Sequence, residues 1–241
     1  MARLFVCGDT HGLPYDTRKL NSRNFAQQKT LCKDDVVVVL GDFGWLWYPP
    51  GTNAQQEHYL DWFAQKNYTL AVVPGNHDNY DLIESLPLTS RWGAPVHELK
   101  RKNGSIYFLR RGEAYVIGGR RILAVGGAAS IDKDERTPHR NWWPQELLRK
   151  EEKERTLQHI ARYEGMFDYI FTHTAPLGVI ERLCGRHSID EAKRDDPTAH
   201  FLEEIEAHSH FRSWHFGHFH VDDIIDDLFF AHYHNPPLEL E

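Results

Sequence analysis

The sequence predicts an α/β protein with a partly parallel sheet. Three observations point there. Short apolar runs rich in Val, Ile and Phe end abruptly at turn residues. Helix-like stretches separate several of them. One run, Val36-Val37-Val38-Val39-Leu40, does not alternate with polar residues, as expected of a strand covered on both faces. The 241 residues fall within the roughly 250 that such folds reach as one unit. A single domain over residues 1–236 is therefore expected, with a disordered tail at 237–241. Apolar residues make up 41% of the chain, enough for a real core.

The strands are read in order. Leu4 to Cys7 ends at Gly8, Val36 to Leu40 at Gly41, and Leu70 to Val73 at Pro74-Gly75. Tyr115 to Ile117 ends at Gly118-Gly119 and Ile122 to Val125 at Gly126-Gly127. Tyr169 to Phe171 and Trp214 to Phe216 follow the same pattern. Helices are expected over Ala54 to Lys66, Pro144 to Tyr163 and Thr198 to His208. The second carries Leu147, Leu148, Leu157 and Ile160 among charges, with Pro144 in its first turn. Ser130 to Trp143 reads as a long charged and aromatic loop.

A net charge of −7 argues against binding nucleic acid by bulk electrostatics. It leaves room for a small phosphorylated substrate or phosphopeptide, because a bound dication reverses the local field. The three scattered cysteines, Cys7, Cys32 and Cys184, make a poor disulfide framework and fit a reducing, cytoplasmic setting. No stretch approaches the roughly 18 apolar residues of a membrane span.

The polar residues that follow the strands carry the chemistry. Asp9 and His11 follow the first run, Asp42 the second, and Asn76, His77 and Asp78 the third. His173 follows the strand near 170, and His218 and His220 the strand near 215. If these strands are parallel, all five loops leave the sheet at one edge, where open α/β sheets bind ligands. Oxygen and imidazole donors without thiolate suit Mn, Fe, Zn, Co or Ni. Asp9, His11, Asp42, Asn76, His173, His218 and His220, seven candidate ligands, exceed what one tetrahedral ion needs. Two ions sharing a carboxylate, roughly 3.5–4 Å apart, would use them.

Asp9-x-His11, Gly41-Asp42, Gly75-Asn76-His77-Asp78, His173 and Gly217-His218-x-His220 together resemble the five blocks of the calcineurin-like metallophosphoesterase superfamily. The resemblance implies a four-layer αββα sandwich of two mixed sheets flanked by helices. It implies that Asp9, His11 and His220 hold one ion and that Asn76, His173 and His218 hold another. Asp42 would bridge the two, with a hydroxide as second bridge and nucleophile. The ions would be two divalent or trivalent transition metals, most readily Mn, Fe or Zn. His77 would face the substrate and protonate the leaving oxygen, with Asp78 orienting it through a hydrogen bond. Hydrolysis of phosphomonoesters is the expected activity. The alternatives are a phosphodiesterase acting on cyclic or linear nucleotides and a non-catalytic scaffold.

The protein Ser/Thr phosphatases of that superfamily carry Asp-Arg-Gly where this chain has Trp45, Leu46 and Trp47, so their phosphate-gripping Arg is missing here. Arg136 and Arg140, in the loop before Trp142 and Trp143, are proposed as substitute substrate contacts. Phe43, Trp45, Trp47 and Tyr48 read more readily as a hydrophobic lid than as a stacking platform for a base.

Overall fold

The computed structural model describes residues 2–241, without the side chain of Glu191. Thirteen strands run in chain order among these residues. They are β1 Leu4–Cys7, β2 Val36–Leu40, β3 Thr69–Val73, β4 Leu88–Arg91, β5 Ala94–Arg101, β6 Gly104–Leu109, β7 Glu113–Ile117, β8 Arg120–Val125, β9 Tyr169–Thr172, β10 Ser213–Phe216, β11 Asp223–Ile225, β12 Phe229–Ala231 and β13 Leu238–Leu240. The α-helices are α1 Pro14–Thr17, α2 Ala54–Ala64, α3 Tyr80–Ser85, α4 Lys150–Arg162, α5 Leu177–Cys184 and α6 Pro197–Ala207.

Two mixed sheets form. One runs β13-β1-β2-β3-β6-β5-β4 and the other β11-β12-β10-β9-β8-β7. The central strands β1, β2, β3 and β6 are mutually parallel, as are β8, β9, β10 and β12. The antiparallel strands lie at the margins.

Side-chain alternation builds the layers. Leu4 and Val6 of β1 join Val36, Val38 and Leu40 of β2 in a core shared with Ile122, Ala124 and Phe171 of the second sheet. The intervening Phe5, Val37 and Val39 face outward, onto Leu60 and Phe63 of α2. On the far side, Ile170, Trp214 and Phe216 meet α5 and α6 through Val179, Ile180 and Leu202. The result is helix, sheet, sheet, helix, and it explains why Val36–Leu40 is apolar at every position.

Two expectations are corrected. The tail at 237–241 is not disordered, because Leu238–Leu240 pairs antiparallel with Leu4–Val6. The free edge of β1 offers unpaired backbone groups, Leu240 is buried, and Glu239 makes a paired contact to Arg3. The helix expected over Pro144 to Tyr163 is broken into a 3₁₀ turn at Pro144–Glu146 and α4. The Glu152 carboxylate accepts from the Arg149 N–H at 2.8 Å, which starts the helix there. Its inward face is Glu152, Thr156 and Ile160, and Leu157 is turned out to 37% exposure.

No helix among the described residues is long and apolar enough to cross a membrane. Cys7, Cys32 and Cys184 are unpaired.

Candidate metal centre

β1, β2, β3, β9 and β10 deliver their following loops to one edge of the sandwich. The loops brace one another. The N–H groups of Thr10 and His11 donate to the Asp42 carbonyl at 3.1 and 2.7 Å. Four of the seven expected ligands, His11, Asp42, His218 and His220, hold positive φ of 49°, 45°, 66° and 55°. Non-glycine residues rarely adopt such angles, and each costs of order 1–3 kcal/mol. Strain of this kind persists only where surrounding contacts impose it. Glycine is required where the loops crowd. A Cβ at Gly41 would lie 2.0 Å from His173 Nδ1, and one at Gly217 would lie 2.1 Å from Asp9 Oδ1.

Two donor triads result. Donor atoms of Asp9, His11 and His220 lie within 4.8 Å of one another, as do those of Asp42, His173 and His218. Asp42 stands between them. Its Oδ2 is 3.6 Å from His11 Nε2 and its Oδ1 is 3.2 Å from His173 Nε2. The Asn76 Oδ1 joins the second triad, 2.9 Å from His173 Nε2.

The imidazoles are oriented from behind. His11 Nδ1 meets Asp16 Oδ2 at 3.0 Å, and His173 Nδ1 donates to the Leu40 carbonyl at 2.8 Å. Both leave Nε2 facing the centre, the arrangement typical of metal-bound histidine. The Asn76 amide donates to Ser130 Oγ at 3.0 Å, and Ser130 donates on to Glu146 at 2.5 Å. That chain turns the Asn76 oxygen towards His173. Buried Lys19 donates to the carbonyls of Gly8 and Asp9 and to that of Tyr233. The Tyr233 ring lies parallel to His220 at 4.6 Å.

Electrostatics favours added positive charge. Burial opposes a charged His11, but the hydrogen bond to Asp42 and the Asp9 charge outweigh it, and its pKa is pushed up to about 9. His173 is likewise pushed up to about 9, burial being outweighed chiefly by Asp42. Burial would raise the Asp42 carboxyl, yet His173 and His77 hold it well below the usual range. Nε2 of His173 faces two oxygens while Nδ1 already donates to a third. Three acceptors around one ring call for a cation, whether a proton or a metal. The site therefore fits a pair of transition-metal ions, with Asp42 as the residue able to reach both.

His77 and Asp78 part company. The expected Asp78–His77 hydrogen bond is not made. The Asp78 carboxylate is taken by backbone N–H groups of Gly75 (2.8 Å), Gly44 (2.9 Å) and Phe43 (3.3 Å). It ties the second loop to the third, and burial pushes its pKa up to about 6. Arg136 takes the role assigned to Asp78, its Nη1 lying 3.2 Å from His77 Nδ1. The same guanidinium grips Asp132 at 2.7 and 2.6 Å and donates to the Asn141 carbonyl. Arg136 thus reaches the site through His77, while Arg140 is exposed on the loop surface.

Sequence reasoning missed Asp16, Lys19, Glu146 and Tyr233. Asp16 and Lys19 lie close behind the first loop in the chain, whereas Glu146 and Tyr233 arrive from distant parts of it.

Of the aromatic loop, Phe43 packs on Phe63 at 5.1 Å and Trp45 stacks on Tyr59 at 3.8 Å, both buried as a lid would be. Trp47 is half-buried and Tyr48 is exposed.

Residues 2–236 match the family model described as calcineurin-like phosphoesterase. No curated protein matches the chain.

Proposed function

The chain belongs to the calcineurin-like phosphoesterase family of metal-dependent phosphate ester hydrolases, and on that premise we propose that it hydrolyses phosphomonoesters with two metal ions. The observation that carries the reading is Asp42, whose two carboxylate oxygens face two separate donor groups. Asp9, His11 and His220 would hold one ion, and Asn76, His173 and His218 the other. When bound, such ions supply Lewis acidity that neutralises phosphoryl charge and lowers the pKa of water.

The chain's own residues would do the rest. Arg136 can only donate, so His77 Nδ1 accepts and the ring proton sits on Nε2. Burial lowers the His77 pKa, and the Arg136 charge lowers it further against the pull of Asp42. A neutral imidazole with its Nε2–H free can donate a hydrogen bond to the leaving oxygen as negative charge develops there, the proton itself coming from water. Asp78 holds the loops carrying Asp42 and His77 at fixed separation. The Arg136 and Lys193 cations border the centre. Lys193 donates to the His218 carbonyl at 2.7 Å. Asp132 neutralises much of the Arg136 charge, so Lys193 is the cation that favours a dianionic monoester over a monoanionic diester.

Retention of every expected ligand and of His77 argues against a scaffold. The test is metal-stripped protein reloaded with Mn and assayed on p-nitrophenyl phosphate and bis-p-nitrophenyl phosphate. Metal-dependent preference for the monoester is expected. Preference for the diester would move the activity to a phosphodiesterase, and turnover of neither with metal bound would favour the scaffold.

A further inference from the structure

We propose that the cavity beside the candidate metal centre is a subsite for a nucleobase, so that the ester hydrolysed is a nucleoside monophosphate. This rests on the phosphomonoesterase reading above.

The cavity measures about 480 Å³, and His11, His77, Trp47, Tyr48, Asn53 and Gln55 are among the residues lining it. His11 and His77 also belong to the centre, so the two spaces are continuous. A group whose bridging oxygen meets the His77 Nε2–H would extend into this space. Apart from the two histidines, no side chain lining it is ionisable at neutral pH other than as a weak tyrosine acid. That disfavours a charged peptide or a second phosphate and favours a neutral, flat group.

The backbone of the aromatic wall and the Trp47 ring are held in place before any ligand arrives. Gln56 Oε1 accepts from the N–H groups of both Trp47 and Tyr48 at 2.8 Å, and its Nε2 donates to the Tyr48 carbonyl at 2.9 Å. Asn79 donates to the Trp47 carbonyl at 2.8 Å, and Trp143 meets the Trp47 ring edge to face at 4.8 Å. Phe43 and Trp45 are used up in packing, whereas the Tyr48 ring has no aromatic partner among the described residues. The fixed Trp47 ring loses little further freedom on binding, and the Tyr48 ring is free to close on the other face of a ligand. Asn53 Oδ1 accepts from the Gln56 N–H at 2.9 Å, which leaves its amide NH₂ available. Gln55 at the exposed rim adds a second carboxamide. Aromatic faces supply stacking to any base, and carboxamides match the hydrogen-bonding edge of one.

The test compares adenosine 5′-monophosphate with ribose 5-phosphate on Mn-loaded protein, following phosphate release. Quenching of tryptophan fluorescence by adenosine on metal-free protein is followed in parallel. A kcat/KM at least about tenfold higher for the nucleotide is expected from one stacked base, together with saturable quenching by adenosine. Tyr48→Ala and Trp47→Leu should each bring the ratio towards one and weaken the quenching. Equal use of both esters with no adenosine binding would overturn the subsite and leave the phosphomonoesterase reading intact. A ratio that survives both substitutions would also overturn it. No metal-dependent release from either ester or from p-nitrophenyl phosphate would overturn the reading and the subsite together.

Discussion

Arg136 donates from Nη1 to His77 Nδ1 across 3.2 Å, and that bond decides which ring nitrogen carries the proton. The guanidinium is itself fixed by Asp132 through two hydrogen bonds. The loop from Ser130 to Trp143 thereby fixes the orientation of the His77 ring.

Replacing His77 by Ala should leave metal content unchanged and lower kcat by roughly 10²–10³-fold, the usual cost of losing a donor aimed at developing charge. Elemental analysis beside steady-state kinetics checks both. Loss of metal would refute the assigned role.

Arg136→Ala should lower kcat more than it raises KM, because the guanidinium meets His77 and its other partners are protein groups. About tenfold in kcat is expected, below the cost of losing the His77 donor itself, because Arg136 acts only by orienting it. A rise in KM alone would restore Arg136 as a direct substrate contact.

Asp16→Ala removes the acceptor behind His11 Nδ1. Losing such a supporting carboxylate commonly costs about 10–100-fold in metal affinity. Titration of stripped protein should show weakening at one site with the other retained. Equal weakening at both would place Asp16 outside this role.

Metal uptake should release protons. His11 and His173 have pKa values pushed up to about 9 in the metal-free protein, so both are charged at neutral pH and must give up a proton to become ligands. About two protons per molecule are expected at pH 7.5, falling towards none above pH 9. Calorimetry in two buffers of different ionisation enthalpy measures the count. The same shifts stabilise the metal-free fold. Folded values above the unfolded 6.5 mean that this stability is full below pH 6.5 and is lost as pH rises through about 9.

Deleting residues 238–241 should expose the β1 edge and remove Leu240, which is 6% exposed. The loss of that burial is worth about 2 kcal/mol. A fall in Tm of roughly 4–8 °C would follow, and an unchanged Tm would return the segment to a passive tail.

Much of the centre was legible in the sequence because it is local. Each donor follows an apolar run directly, and parallel strands with both faces covered carry their carboxyl ends to one edge. The apolar runs gave β1 and β2 to the residue, since Val36–Leu40 and Leu4–Cys7 are buried on both sides. The hairpin strands β4 and β5 went unread because Leu88–Arg91 and much of Ala94–Arg101 are polar and partly exposed, and β6 was missed although Ile106, Phe108 and Leu109 are apolar and buried.

By itself the sequence determined the α/β class and the set of donors, because strand period and loop chemistry are properties of neighbouring residues. The tertiary structure alone decided their alliances. It gave Asp78 to three backbone amides and Arg136 to His77, set Glu146 behind Ser130 and Asn76, broke the helix at Arg149, and added the last strand beside β1. Most of these join distant segments, whereas the bonds from Arg149 to Glu152 and from Gly75 to Asp78 are local choices among competing partners. A buried polar group takes whichever partner packing brings within reach, and only the folded chain shows which one that is.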